Sequence, residues 1–262
     1  MFVLRSTTSS GLFWHPTVHA ATFVLGWVCI TVAIYVFNGV TDVTADGANH
    51  SHRPIATRQL KVVDALYASV ALAGIGLLAC ASVDFAEAAI AAGMPLLGWA
   101  YSAGPQFKNA PAGFAVVIGS GAALTYVGGW ISRGVFDTDA LLISAWISAW
   151  VGLCCASKDF SDIDGDRLAG RRTWPVLVGQ RRAAATLGVL GLVASAGFVT
   201  TSVATAVALA PAVVVSTGSL ILAMVAIKYC AATERARRRL PYRVFMATQY
   251  SANLMMMIFA SA

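Results

Sequence analysis

An all-α bundle that crosses a membrane many times is the fold class the sequence predicts, and three observations predict it. Hydrophobic residues make up 58% of the 262 and charged residues 11%, and the mean hydropathy is +0.73, far from the balance of a water-soluble domain. Apolar runs of about 20 residues, the length a helix needs to cross hydrocarbon, recur from one end of the chain to the other. Lys and Arg collect in alternate connections between those runs, the pattern of a multi-pass protein with a fixed orientation.

Taken in order, residues 1 to 18 are mixed, with Arg5 the only charge before Trp14 and Pro16, and are too short to span. His19 to Val40 is the first span; it has no small-residue cleavage site and runs directly into a polar cluster, so it does not read as a removable signal peptide. Seven further spans are expected at Val62 to Ser82, Ala86 to Tyr101, Ala112 to Ile131, Ala140 to Ser157, Ala183 to Thr201, Ala206 to Ile227 and Val244 to Ala260, about eight in all. The division between the sixth and the seventh of the eight rests on Thr200 to Ala206, which carries no charge and only small polar residues. No linker interrupts the chain, so residues 1–262 form one domain.

The connections after spans one, three, five and seven hold sixteen of the eighteen Lys and Arg residues: Arg53, Arg58, Lys61, Lys108, Lys158, Arg167, Arg171, Arg172, Arg181, Arg182, Lys228, Arg235, Arg237, Arg238, Arg239 and Arg243. These are expected to face the cytoplasm. The other side keeps Arg5 and Arg133 together with Asp84, Glu87, Asp137 and Asp139. A net charge of +6 in such a chain points to anionic lipid headgroups, and no basic patch interleaved with aromatics suggests nucleic acid. Cys29, Cys80, Cys154, Cys155 and Cys230 lie in or beside apolar segments without a CxxC pair and read as buried reduced thiols. His50 and His52 flank Ser51 with no third His or Cys, which argues against zinc.

Chemistry concentrates at two acidic clusters on the cytoplasmic side. KDFSDIDGDRLAGRRTWPVLVG, residues 158–179, packs four carboxylates and four basic residues against the end of the fifth span. A helix turns about 100° per residue, so Asp159, Asp162 and Asp166 share one face while Asp164 points elsewhere. At the end of the first span Asn38, Asp42 and Asp46 recur every four residues, again one helical face. A solvated, charged helix end explains either cluster alone. Two such stripes at one membrane face are better explained by shared chemistry: five carboxylates and a carboxamide are hard oxygen donors suited to Mg2+ ions that bridge to a diphosphate.

These residues resemble the UbiA superfamily of intramembrane prenyltransferases. The NxxxDxxxD signature reads Asn38, Asp42, Asp46, and the DxxD or DxxxD signature reads Asp159, Asp162, Asp166. Arg53-Pro54 follows the first motif as in that family, and GDRLAGRRTWPVLVG is similar to its GDxxxGxxTxPVxxG. Tyr101-Ser102, Pro105 and Lys108 are similar to its Tyr and Lys between the motifs. The resemblance covers residues 19 to 260. It implies a helical bundle around a central cavity, Mg2+ held between the motifs, an isoprenyl diphosphate bound to it with Asn38, Arg53, Tyr101 and Lys108 in contact, and catalytic roles for Asp42, Asp46, Asp159, Asp162 and Asp166. It also implies nine spans, the extra one before the helix of the first motif, and that helix is expected to be missing here.

The implied reaction ionises the diphosphate ester, with Arg53, Lys108 and either Arg58 or Arg167 stabilising charge as the C–O bond breaks. A small-molecule acceptor, expected to be aromatic, captures the allylic cation in a dry cavity. Tyr101, Phe107 and Trp174 are candidates to line that path, although Trp174 reads more readily as an interface anchor. A terpene cyclase of the same superfamily would use the same site, and a cation-binding transporter is the rival from another class. Against the transporter, no acid of either cluster lies in mid-span. Prenyl chain length, acceptor identity and oligomeric state are not legible in the sequence.

Overall fold

A computed structural model describes residues 16–49, 51–132, 134, 138–207 and 209–259. Arg5, Trp14, His50, Arg133, Asp137 and Ala260 lie outside the described residues. Among those described there is no strand, and eight helices of 17 residues or more coincide with the eight expected spans. They are α1 (Pro16–Thr41), α3 (Val62–Ala81), α4 (Phe85–Ser102), α5 (Pro111–Ser132), α6 (Thr138–Cys154), α9 (Gln180–Thr205), α10 (Leu209–Tyr229) and α12 (Leu240–Phe259). Among the described residues, six stretches are long and apolar enough to cross a membrane. The helices outside that six are α4, diluted by Glu87 and Pro95, and α12, diluted by Arg243, Gln249 and Asn253.

Short helices fill the connections: α2 (Val43–Ala48), α7 (Asp159–Leu168), α8 (Trp174–Val178) and α11 (Arg235–Arg238). Contacts of α2 with α7, of α7 with α8 and of α11 with α7 gather them at one end of the bundle. That end holds both acidic clusters. The expected division of the last spans is also present: Ala206 takes a left-handed turn at φ 56°, which ends α9 before α10 begins.

Two packing units make the bundle, with α5 between them. In the first, α1 packs on α3 and α4 around Phe23, Trp27, Ile30, Cys80 and Ala91. Small residues allow the closest approach: a Cβ on Gly26 would lie 2.9 Å from the Gly76 carbonyl oxygen, so α1 and α3 meet backbone to backbone. In the second, α6, α9, α10 and α12 enclose Ile147, Trp150, Phe198, Leu222 and Phe245, and Trp150 stacks on Phe245 at 5.2 Å between ring centroids. The indole N–H of Trp150 donates to Ser219 Oγ at 2.8 Å and that of Trp130 to Ser144 Oγ at 2.9 Å, as buried polar atoms away from water require.

Candidate active site

The second cluster forms as its spacing predicts. After α6 a 3-10 turn, Cys155–Lys158, redirects the chain into α7, whose single unbroken helix carries Asp159, Asp162 and Asp166. Asp164 leaves that face, its side chain 60% exposed and bound to Arg238 at 2.8 Å. The first cluster departs from the expected continuous helical face. Helix α1 ends at Thr41, and Asp42 (φ −105°, ψ 6°) sits between α1 and α2. A 2.8 Å bond from the Asp46 N–H to the Asp42 carbonyl spans the interruption and keeps the two acids one turn apart.

Docking of α2 on α7 brings the clusters together. The Gly165 N–H donates to Asn49 Oδ1 at 2.9 Å, and a Cβ on Gly165 would stand 2.2 Å from Asn49 Nδ2 and 2.6 Å from the Ala45 carbonyl oxygen. Only glycine permits this approach. Arg171 then ties the motifs directly: one guanidinium nitrogen donates to Asp42 and the other to Asp166 Oδ1 at 3.3 Å. Asp42 and Asp166 are both buried, which makes such a partner necessary.

The remaining predicted residues fall around this bridge. Lys108 Nζ, on a 3-10 turn (Phe107–Asn109) before α5, donates to Asp42 Oδ1 at 2.8 Å and to Thr41 Oγ1 at 2.9 Å. Burial lowers the Lys108 pKa while the Asp42 carboxylate pulls it back up. Arg53 donates to Asp46 Oδ2 at 2.9 Å, and burial outweighs this partner so that the Asp46 carboxyl titrates above its ordinary value. Asn38 Oδ1 accepts from Ser102 Oγ at 3.2 Å. Asp162 accepts from Arg235 at 2.8 Å. Tyr101 stands one step back, accepting from Lys158 Nζ at 3.0 Å, with its ring 6.0 Å from that of Phe114. Arg58 and Arg167 are exposed, and among the described residues neither is in an ion pair with the acidic clusters.

Beside the clusters lies a cavity of about 240 Å3 walled by α5, α6, α8 and α9. Lys108, Asp159, Thr173 and Trp174 contribute to its lining, and the rest is mainly apolar. A rim of carboxylates and cations therefore adjoins a mainly apolar space among the helices.

Residues 5–248 match the family described as the UbiA prenyltransferase family. The chain belongs to that family. It is 29% identical over 198 residues to chlorophyll synthase, chloroplastic, of Oryza sativa subsp. japonica, covering 69% of this chain and 52% of that protein. With digeranylgeranylglyceryl phosphate synthase of Natronomonas pharaonis it shares 30% identity over 186 residues, 69% of this chain and 61% of that protein. The chain thus spans between half and two thirds of the length of these curated relatives. In three dimensions it is similar to a UbiA homolog from Archaeoglobus fulgidus bound to GPP and Mg2+, with a TM-score of 0.68 and 18% identity over 90% of this chain and 87% of that one. The same homolog bound to DMAPP and Mg2+ also superimposes with a TM-score of 0.68, at 18% identity over 89% of this chain and 87% of that one. At this identity the likeness shows the UbiA fold.

The donor chemistry of this UbiA-family chain fits Mg2+. Both clusters offer carboxylates and one carboxamide, with neither His nor Cys. Among the described residues no three His, Cys, Asp or Glu side chains form a ready cage for a metal. Sequence reasoning missed Arg171, Arg235, Asn49 and Lys158 as parts of the site. Arg171 and Lys158 stand inside the charged stretch, but nothing in the spacing says which basic residue there reaches across to α1.

Proposed function

We propose that this chain transfers an isoprenyl group from an isoprenyl diphosphate to a small-molecule acceptor inside the membrane: the allylic C–O bond breaks, diphosphate leaves with the bonding electron pair, and the prenyl carbon bonds to the acceptor in place of a proton, which passes to the released diphosphate or to water. The observation that carries the reading is the Arg171 bridge between Asp42 and Asp166, which gathers both acidic motifs next to an apolar cavity. Asn38, Asp42, Asp46, Asp159, Asp162 and Asp166 would hold Mg2+. When bound, Mg2+ supplies charge neutralisation that makes diphosphate a leaving group.

The chain's own side chains do the rest. Lys108, Arg53 and Arg171 place positive charge where a diphosphate would meet the carboxylates, offsetting its negative charge as the bond breaks. Tyr101 holds Lys158 beside Asp159 and packs on Phe114, which lines the cavity. The apolar walls exclude water, so an aromatic acceptor, not hydroxide, meets the allylic cation. The distribution of Lys and Arg supports a cytoplasmic orientation for this end. The partners are thus an isoprenyl diphosphate, the acceptor and the surrounding lipid.

Protein in lipid nanodiscs, given a panel of isoprenyl diphosphates with and without aromatic acceptors, tests the proposal by mass spectrometry of products. Prenylated acceptor is expected with Mg2+, none in chelator, and no recovery with Zn2+ alone. A terpene hydrocarbon or alcohol formed without acceptor would assign the site to cyclisation. Full activity in chelator would remove Mg2+ from the account.

A further inference from the structure

The second acidic motif receives a cation from far along the chain. Helix α11, in the connection between α10 and α12, lies against α7. From it Arg235 Nε donates to the Ser161 carbonyl oxygen at 3.0 Å, and Arg235 Nη2 donates to Asp162 Oδ1 at 2.8 Å. These two N–H groups share one edge of the guanidinium, so the pair of bonds fixes its plane as well as its position. One turn on, Arg238 donates to Asp164 Oδ2 at 2.8 Å and pins α11 to α7 away from the shared acidic face.

Stability does not account for the Arg235 contact. The two side chains are 38% and 35% exposed, and an ion pair so open to water contributes little to folding. What the contact changes is the freedom of Asp162. Ser161 Oγ also lies 3.1 Å from Asp162 Oδ1, but the Lys158 carbonyl oxygen at 2.9 Å competes for its one proton, so the guanidinium is the constant donor. All of these contacts fall on Oδ1, and among the described residues no hydrogen bond reaches Oδ2. Asp42 is built alike: Lys108 and Arg171 both converge on its Oδ1. Burial, and after it the charges of Asp42 and Asp162, raise the Asp46 pKa, so Asp162 acts across the gap between the motifs. An outer hydrogen bond that orients a metal-binding carboxylate has this form, and Mg2+, with its near-octahedral shell, is exacting about where the oxygen points.

We infer that Arg235 is a positioning residue for the second motif: it holds Asp162 by one carboxylate oxygen and so presents the other to Mg2+, which makes the connection between α10 and α12 a determinant of metal affinity. The inference rests on the prenyl-transfer reading for the identity of the metal, and on the Arg235 contacts for the role.

Mn2+, which shares the preference of Mg2+ for carboxylate oxygen, tests this without turnover. Its binding is read by electron paramagnetic resonance on the full chain in nanodiscs with a non-hydrolysable isoprenyl diphosphate analogue. Arg235→Met is expected to weaken Mn2+ binding about tenfold, the scale of a lost outer hydrogen bond, with the thermal midpoint unchanged. Arg235→Lys, which can reach Asp162 but not hold Ser161 as well, should recover only part of that loss. Arg238→Met breaks the outer pair to Asp164 and should leave Mn2+ binding within about twofold of wild type. Unchanged binding in Arg235→Met would overturn the inference, and tighter binding would do so by making Arg235 a competitor of the metal. Equal losses in Arg235→Met and Arg238→Met, or a thermal midpoint that falls together with the affinity, would make the role structural and overturn it too. Wild-type protein that binds no Mn2+ beside the analogue would defeat the prenyl-transfer reading itself, whereas wild-type binding that is indifferent to Arg235 defeats only the positioning role.

Discussion

The two acidic clusters offer similar side chains to one end of the bundle by different local constructions. Asp159, Asp162 and Asp166 ride one helix, so periodicity alone aligns them. Asn38, Asp42 and Asp46 straddle a helix end, and their alignment depends on one backbone bond across the interruption and on the cations Lys108, Arg171 and Arg53. A buried carboxylate needs a partner wherever it is made; a helix supplies direction but not charge. Asp42, with two cationic partners, is therefore the point at which the first cluster is anchored, while the second is anchored by the helix itself.

The largest expected effect breaks either cluster at its buried acid. Asp42→Ala and Asp159→Ala should each lower prenyl transfer by about 100-fold or more, measured as product formed at saturating diphosphate. Retained turnover in either would show that its cluster is not used. Next is the tie between the clusters. Arg171→Met leaves Asp42 and Asp166 without their shared guanidinium and should cost about 3 kcal/mol, read as a lower thermal midpoint in detergent. Arg171→Lys should recover only part of the loss, because one ammonium cannot present two nitrogens in a fixed plane. If the lysine variant matches wild type, the bridge is a charge effect and its geometry is irrelevant.

Gly165→Ala sharpens the comparison without touching a charge. Its Cβ would lie 2.2 Å from Asn49 Nδ2, so α2 and α7 must separate, at about 1–3 kcal/mol. The predicted signature is a lower thermal midpoint together with weaker diphosphate binding, whereas a stability loss alone would mean that the helices separate without disturbing the site. The smallest effect belongs to Asp164→Ala. That side chain is 60% exposed and paired to Arg238 off the shared face, so activity should stay within about twofold of wild type. An equal loss for Asp42, Asp159 and Asp164 would abolish the distinction between faces.

Much of the fold was legible because membrane burial acts on each segment separately. Twenty apolar residues in a row must become a helix, since hydrocarbon offers no other partner for the backbone, and each of the eight expected spans has its helix. The seven-residue reach of Asp159 to Asp166 was legible for the same reason: a helix converts spacing into direction. The break at Asp42 was not, because no Pro or Gly stands there to announce it and the alternative continuous helix satisfies the same spacing.

What the sequence by itself determined is the local part: the spans, the end of the bundle at which the charges lie, and the residue types offered at each cluster. Tertiary structure decided which cation serves which acid. Arg171 and Asp42 are 129 residues apart, and their pairing depends on α7 docking against α2 through the bare backbone of Gly165. It also decided that Trp174, readable as an interface anchor, lies among the residues that line the apolar cavity beside the clusters. Hydropathy and helical periodicity are properties of consecutive residues and survive without neighbours. Ion pairing and cavity shape exist only once distant helices have packed, and no spacing within one segment encodes the partner supplied by another.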